Sequence, residues 1–399
     1  MTCPGALHGL AGQARIIGDT WFFKSIDHAG QQVVKKTQPG PRGESCPDRP
    51  KQGRSSSVDY RPAHSGVTCG PMLPVHNRAM PTQVTLAEIE SIAAEINAVV
   101  PPTPQFSWPL LNARLGCELW VKHENHTAIG SFKIRGALNF INQLLARAPE
   151  TRGVVAATRG NFGQAVAFAA SRRGLSATIV VPQGNSAEKN QAMRGLGAEL
   201  IEHGEDFQAA LVRSEELARE RGLHWVPSFH RDLAWGNAVS MLDFLRNTPP
   251  LDWIYIPIGL GSGVCALMSA RAALGLPTGI VGVASDQAPA IALSFANRRL
   301  TQFPASTRVA DGLACSKPNG EALEAILQGV TRIVRVTDDE TEAAMRAYFS
   351  DTHNVAEGAA GAALAAILRE RREIAGKRIG IVFTGGNVDA ITFARVLAG

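Results

Sequence analysis

The chain has 399 residues, of which 45% are apolar and 19% are charged, a composition typical of globular α/β proteins. It contains no apolar run of membrane-spanning length, and residues 7–17 are too often interrupted by glycine and polar residues to be a signal peptide. The formal charge of +5 comes entirely from residues 1–80, which hold ten basic and five acidic side chains, so we expect no membrane and no nucleic-acid partner for the rest.

Residues 1–80 differ from the rest of the chain in composition. The stretch 38–61 is rich in Pro, Gly, Ser, Lys and Arg and has no hydrophobic periodicity. Such a stretch cannot bury enough apolar surface to order itself. We therefore predict residues 1–80 to be a disordered N-terminal extension, and the change in composition suggests Met80 as the natural start.

From residue 81 onward, strand-like and helical patterns alternate. A capping box at Thr85 and Glu88 predicts a helix that reaches about Val99. An apolar segment at 118–121, a polar turn at 124–130 and a helical pattern at 137–145 follow. Further strands are predicted at 154–157, 177–181, 199–202, 253–258, 280–284 and 379–383. Further helices are predicted at 163–172, 187–196, 207–221, 264–274, 340–349 and 358–368. This alternation favours open parallel sheets covered by helices.

Lys133 lies in the segment SFKIRGA, residues 131–137, which joins the polar turn at 124–130 to the helical pattern at 137–145. The positive end of a helix dipole and partial desolvation both favour the neutral form of a lysine amine. A neutral amine is the nucleophile that forms a Schiff base with a carbonyl group. A single lysine in a turn is usually an exposed surface residue, so this interpretation depends on the segments that accompany it.

Two segments combine glycine with the predicted start of a helix. The segment GLGSG at 259–263 follows a strand, and its glycines allow a backbone to approach an anion at the helix N-terminus. The alternatives are a plain strand-to-helix turn and a dinucleotide site, but Val264 occupies the place of the third glycine that a dinucleotide site needs. The segment TRGNFGQ at 158–164 also opens a helix and can bind a carboxylate.

These segments, together with TGGN at 384–387, occur in the order of the threonine/serine dehydratase family, which the chain resembles from about Thr85 to its C-terminus. The family consists of pyridoxal-phosphate enzymes of the tryptophan-synthase-β-like fold. The resemblance implies an α/β fold of two open, twisted, mostly parallel sheets with flanking helices. It also implies a small domain, residues 153–232, inserted in a large cofactor-binding domain formed by residues 81–152 and 233–399.

The resemblance implies that Lys133 is the catalytic residue and holds pyridoxal 5'-phosphate covalently. The residues that it implies for cofactor binding are Lys133, Phe132, Asn161, Gly259, Gly261, Ser262, Gly263 and Thr384. Those that it implies for substrate binding are Ser131, Thr158, Arg159, Gly160 and Gln164. A hydroxyl partner for the pyridine nitrogen, from Thr384, does not enforce protonation as a carboxylate would, which suits β-elimination.

The sequence departs from the family pattern at two positions in the segment 158–164. Phe162 replaces the usual histidine, and Arg159 stands where family members carry small hydroxyl residues or glycine. A guanidinium stays protonated and is a poor acid or base, which disfavours racemisation because that reaction needs a second base. We expect Arg159 to pair with an anion of a ligand; the alternative is a structural surface arginine.

The activity implied is that of an ammonia-lyase that converts a 3-hydroxy amino acid, by default L-threonine or L-serine, to a 2-oxo acid and ammonia. Phenylserine and 3-hydroxyaspartate remain possible substrates, and a β-replacement synthase or a racemase is the alternative class. We expect a homo-oligomer, a dimer or tetramer. The His123–His126 spacing and the cysteines fit no metal site, so no metal is predicted, and reduced thiols favour a cytoplasmic location.

Overall fold

The computed structural model describes residues 15–17, 20–26, 32–37 and 84–399. The chain divides into two units, residues 1–74 and 75–399. In the first unit, β1 (Arg15–Ile17), β2 (Thr20–Ile26) and β3 (Gln32–Thr37) form an antiparallel sheet that the sequence analysis did not predict. The rest of the predicted extension, including Met80, lies outside the described residues, and its disorder stays a prediction.

The second unit alternates strands and helices. Its strands are β4 (Gln105–Ser107), β5 (Glu118–His123), β6 (Gly153–Ala157), β7 (Ser176–Val181), β8 (Glu199–Glu202), β9 (His224–Trp225), β10 (Trp253–Pro257), β11 (Gly279–Ser285), β12 (Arg332–Val336) and β13 (Arg378–Phe383). Its helices are α1 (Leu86–Asn97), α2 (Pro109–Leu115), α3 (Lys133–Arg147), α4 (Asn161–Arg172), α5 (Ala187–Gly195), α6 (Phe207–Arg221), α7 (Arg231–Arg246), α8 (Ser262–Ala273), α9 (Ala290–Asn297), α10 (Gly320–Gly329), α11 (Asp338–Thr352), α12 (Gly358–Arg369) and α13 (Ala390–Ala398).

The strands of this unit form two sheets. The larger has the order β12-β11-β10-β13-β5-β4, with parallel pairing throughout except for the antiparallel β4 at one edge. The smaller has the order β8-β7-β6-β9 and is entirely parallel. The predicted α/β class with mostly parallel sheets is therefore confirmed. All four strands of the smaller sheet fall within residues 153–232, while the domain boundaries themselves stay a prediction.

The sequence signals account for most element boundaries. The capping box forms at the start of α1, where the Glu88 amide donates to Thr85 Oγ1 at 3.2 Å and the Thr85 amide donates to Glu88 Oε2 at 2.7 Å. Helix α7 was missed because it is buried on most of its surface and so lacks an alternating polar face. Strand β12 was missed because Arg332 and Arg335 interrupt its apolar pattern.

A network of buried charged side chains lies below the N-terminus of α3. Glu124, Arg135 and Lys122 are fully buried, and Arg135 Nε lies 3.0 Å from Glu124 Oε2. Thr103 Oγ1 donates to Glu124 Oε1 at 2.6 Å, and the hydroxyl of Ser240 in α7 donates to the same oxygen. Burial raises the pKa of Glu124, but the charges of Arg135 and Lys122 outweigh it, so the net shift is downward. Glu124 is therefore held as a buried, fully partnered carboxylate.

We expect Glu124→Gln to lower the free energy of unfolding by roughly 3–5 kcal/mol, because it leaves the buried Arg135 without its anion. Urea unfolding followed by circular dichroism measures this. The matched control is Glu90→Gln, which removes a pair with Arg246 whose two side chains are 48% and 39% exposed, and it should barely move the unfolding midpoint. Equal losses in the two variants would contradict the role given to the buried pair.

Candidate active site

A cavity of about 380 Å³ lies where the carboxyl ends of β6, β10 and β13 meet the N-terminus of α3. The carboxyl ends of parallel strands are the usual place for a ligand in such folds. All the predicted site residues except Ser131 and Gln164 line it: Phe132, Lys133, Thr158, Arg159, Gly160, Asn161, Gly259, Gly261, Ser262, Gly263 and Thr384. We call it the active-site cavity.

Lys133 is the first residue of α3 and projects its amine into the active-site cavity. Its Nζ donates to Ser262 Oγ at 2.9 Å and lies 4.9 Å from the centroid of the Phe132 ring. Burial lowers the pKa of Lys133 to about 8, against the opposing influence of Cys315 and Glu357. A substantial fraction of this amine is therefore neutral and nucleophilic near neutral pH, whereas an ordinary lysine is almost fully protonated.

The segment that precedes Lys133 is fixed against the segment that follows β13. The Phe132 amide donates to the Thr384 carbonyl at 3.0 Å, and Ser131 forms an antiparallel bridge with Gly385. Asn387 Nδ2 adds a bond of 2.8 Å to the carbonyl of residue 129. These backbone contacts place Lys133 and Thr384, which are distant in sequence, on the same cavity.

The turn between β10 and α8 forms an anion cradle. Gly261, the N-cap of α8, has φ +107°, a conformation that side chains other than glycine rarely adopt. A Cβ on Gly259 would lie 2.3 Å from the carbonyl oxygen of Gly312, so only glycine fits there. The first amides of α8 have no partner within the helix and lie beside this turn, as an anion site requires.

The hydroxyl of Thr384 faces the active-site cavity and lacks a protein partner. The residue is 4% exposed, and its Oγ1 makes no hydrogen bond to any described residue. A buried hydroxyl without a partner carries an unfavourable free energy of roughly 1–3 kcal/mol. A ligand atom that bonds to this oxygen removes that penalty.

Asn161, the first residue of α4, is held by the side chain of the α12 N-cap and by a side chain in the loop after β13. Its Nδ2 donates to Glu357 Oε2 at 2.8 Å, and its Oδ1 accepts from Asn387 Nδ2 at 2.7 Å. Burial raises the pKa of Glu357. Glu357 also lines the cavity. Its segment, residues 357–359, resembles a family segment that packs near the cofactor, but the sequence analysis assigned Glu357 no role of its own.

Three contacts beside the active-site cavity join the start of α5 to loops that follow strands of the larger sheet. Lys189 Nζ lies 2.7 Å from Asp311 Oδ2. Ser186 Oγ donates to Asp389 Oδ1 at 2.5 Å, and the amide of residue 390 donates to the Glu188 side chain at 3.0 Å. Sequence reasoning missed Ser186, Lys189 and Asp389, which line the cavity, because each is an isolated polar side chain in a loop or helix start.

For three of the predicted substrate-binding residues, Thr158, Ser131 and Gln164, the structure shows a role in local structure or burial away from the cavity. Thr158 Oγ1 accepts from the amides of Gly160 and Gly163, at 3.0 and 3.3 Å, and so shapes the turn that begins α4. Ser131 and Gln164 are buried and do not line the active-site cavity. Their roles in substrate binding stay predictions.

Within the described residues, no group of three or more His, Cys, Asp or Glu side chains could hold a metal ion, and no helix is both long and apolar enough to span a membrane. His123 Nε2 accepts a hydrogen bond from Trp108 Nε1 at 3.0 Å. The absence of a metal stays a prediction.

The amine of Lys133, the anion cradle and the unpartnered Thr384 hydroxyl surround one space, which is the arrangement of an enzyme that holds a phosphorylated aldehyde covalently. Comparison with known families agrees. The profile described as "Pyridoxal-phosphate dependent enzyme" matches residues 96–385, so the chain belongs to this family and its cofactor is pyridoxal phosphate.

Relatives of known name point the same way. The chain is 31% identical to a catabolic L-threonine dehydratase of Staphylococcus aureus, over 79% of this chain and 92% of that protein. It is 30% identical to an L-threonine ammonia-lyase of Thermotoga maritima, over 79% and 78%. Among solved structures, a pyridoxal 5'-phosphate-dependent aspartate racemase has a TM-score of 0.73 at 29% identity, covering 78% of this chain and 98% of that one. The processed threonine deaminase isoform 2 of Solanum lycopersicum has a TM-score of 0.72 at 26% identity, covering 83% and 99%.

We expect the attachment of pyridoxal phosphate to the cofactor-free protein to accelerate as pH rises, with a midpoint near 8 rather than the ordinary lysine value of 10.5. The reason is that the neutral amine is the reacting form, and its fraction grows as pH rises through the pKa. Growth of the visible absorbance band after rapid mixing measures the rate. Lys377→Ala, which removes an exposed lysine, serves as the control and should leave the pH dependence of the rate unchanged. Lys133→Ala should show no visible absorbance band. A midpoint in the ordinary lysine range would contradict the lowered pKa.

Proposed function

We propose that this protein is a pyridoxal-phosphate-dependent ammonia-lyase. It converts a 3-hydroxy amino acid, by default L-threonine or L-serine, to a 2-oxo acid and ammonia by β-elimination. The observation that carries the proposal is the low-pKa amine of Lys133 in the active-site cavity of a chain that is 31% identical to an L-threonine dehydratase. The proposed substrate is taken from the names of the relatives, and the proposed catalytic and binding residues are those that line the cavity.

In this proposal Lys133 has two tasks. As a nucleophile it would hold the cofactor, and its neutral amine is the base that accepts the proton from the substrate Cα. The hydrogen bond to Ser262 Oγ, 2.9 Å long, positions the amine for both. When bound, pyridoxal phosphate supplies the electron sink that makes the Cα–H bond breakable.

The other predicted residues bind and orient. The amides of residues 259–263 and the Ser262 hydroxyl hold the phosphate at the N-terminus of α8. The turn before α4, residues 158–161, receives the substrate carboxylate in the same manner, and Asn161 bonds the ring oxygen of the cofactor. Thr384 offers its hydroxyl to the ring nitrogen and, unlike a carboxylate, leaves that nitrogen largely unprotonated, which favours elimination.

The overall reaction needs no oxidant or reductant. The Cα–H and Cβ–O bonds of the substrate break, and the 3-hydroxyl leaves as water. The resulting enamine becomes an imine, and a second water hydrolyses it to the 2-oxo acid and ammonia.

Racemisation is the alternative with a specific observation behind it, because a pyridoxal 5'-phosphate-dependent aspartate racemase shares the fold at 29% identity. A racemase needs a second acid–base group on the other side of the substrate Cα. The residue in the carboxylate turn that stands where relatives carry a small hydroxyl is Arg159, which stays protonated. A β-replacement synthase would require a second nucleophile. The homo-oligomer and the cytoplasmic location stay predictions.

The test of the proposed function is a panel of substrates. Wild-type protein loaded with pyridoxal phosphate should release 2-oxo acid from at least one of threonine, serine, phenylserine and 3-hydroxyaspartate, without any added thiol. We expect Lys133→Ala to lower kcat by at least about 10³-fold, because the nucleophile and the base are lost together. Lys377→Ala, which removes an exposed lysine, should keep wild-type kcat. Product release that requires a thiol would favour the synthase.

A second measurement separates elimination from racemisation. We expect chiral analysis of residual L-serine after partial turnover to show D-serine at well under a tenth of the 2-oxo acid formed, because Arg159 cannot deliver a proton from the opposite face. Deuterium from the solvent should likewise not accumulate in D-serine. D-serine formed as fast as the 2-oxo acid would instead support a racemase.

A further inference from the structure

Arg159 is a cation in the active-site cavity to which the described residues give no anionic partner. It lies in the turn between β6 and α4, is partly buried and lines the cavity. Its Nε is buried and makes no hydrogen bond within the described part of the chain, and no carboxylate there lies within ion-pair distance of it. A guanidinium with buried, unsatisfied donors is costly unless a ligand supplies acceptors.

The other charged side chains on this cavity wall already have partners. Lys189 pairs with Asp311 at 2.7 Å, and Arg308, which is exposed, lies 3.8 Å from Asp338. Asp389 accepts from Ser186. Within residues 84–399, Arg159 is therefore the arginine of the cavity that stays available for an incoming anion.

Arg159 and Lys133 line the same cavity as the thiol of Cys315, and their charges both act on it. Burial raises the pKa of the Cys315 thiol to about 11, while the charges of Lys133 and Arg159 both act to lower it. Cys315 lies beside the phosphate turn, since a Cβ built on Gly259 would lie 3.8 Å from its sulfur. The Arg159 charge therefore acts within the cavity that holds the amine of Lys133.

In the proposed function, the cofactor phosphate and the substrate α-carboxylate already have binding groups other than Arg159. The phosphate has the amides of α8, and the substrate carboxylate has the amides of α4. The guanidinium is an additional site for a planar anion, which it can bind through two parallel hydrogen bonds.

We propose that Arg159 binds a second carboxylate on the substrate, so that the active-site cavity prefers dicarboxylic 3-hydroxy amino acids to threonine. This inference rests on the proposed function and specifies its substrate class. The chemistry is unchanged: water leaves, the imine is hydrolysed, and the products are a 2-oxo dicarboxylic acid and ammonia. Threonine remains a slower substrate, because its methyl group leaves the guanidinium without a partner.

The kinetic test compares 3-hydroxyaspartate with threonine in the loaded enzyme. We expect Arg159→Ala to lower kcat/KM for 3-hydroxyaspartate by at least about 30-fold more than it lowers kcat/KM for threonine, as the loss of a charge-assisted pair specific to the second carboxylate predicts. Arg159→Lys should fall between wild type and Arg159→Ala, because it keeps the charge but loses the paired donors. Arg172→Ala removes an exposed arginine from the other end of α4 and should change neither value.

A binding test requires no turnover. Succinate and butyrate have equal carbon numbers but differ by one carboxylate, and calorimetry on the loaded enzyme compares them. We expect succinate to bind wild type at least about 30-fold more tightly than butyrate, and this ratio to approach one in Arg159→Ala. An unchanged ratio in Arg159→Ala, or equal binding of the two acids to wild type, would overturn the inference. If no hydroxy amino acid were turned over, the proposed function would fail while this comparison still decided the role of Arg159.

Discussion

The buried ion pair between Glu124 and Arg135 is the interaction on which the geometry around Lys133 depends. Arg135 lies two residues after Lys133, and it also donates to the carbonyls of Val100 and Pro101, each at 3.0 Å. Glu124 accepts from Ser240 in α7 as well. One pair therefore joins the segment after α1, the turn before α3, α3 itself and α7. Because buried charges tolerate few alternative arrangements, the pair fixes the start of α3 in a single position.

The low polarity of the protein interior, which makes burial of this ion pair costly, also sets the protonation states of the active-site groups. Burial lowers the pKa of Lys133 and raises those of Glu357 and Cys315, so each is biased toward its neutral form. A neutral amine is the reactive form of Lys133, and the same low polarity strengthens the attraction between Arg159 and an anion. One physical cause thus supports both catalysis and selectivity.

Much of the fold and part of the site could be predicted from the sequence. The bounds of β8 and α6 agree with the prediction at both ends, because polar caps and clear periodicity mark them. The motifs located Lys133, the cradle and Thr384, since glycine and lysine at a helix start carry specific chemistry. Helix α7 and the contacts of Glu357 with Asn161 and of Lys189 with Asp311 could not be predicted, because they arise from burial and from contacts between distant segments.

The contact between residues 129–132 and 384–387 has a consequence for how the protein matures. The two segments are separated by most of the second unit, so their pairing is a long-range event that must await nearly the whole chain. A nascent chain released before β13 would possess Lys133 but neither the backbone partner that orients it nor the Thr384 hydroxyl. The juxtaposition of Lys133 and Thr384 therefore requires that synthesis and folding have proceeded past β13.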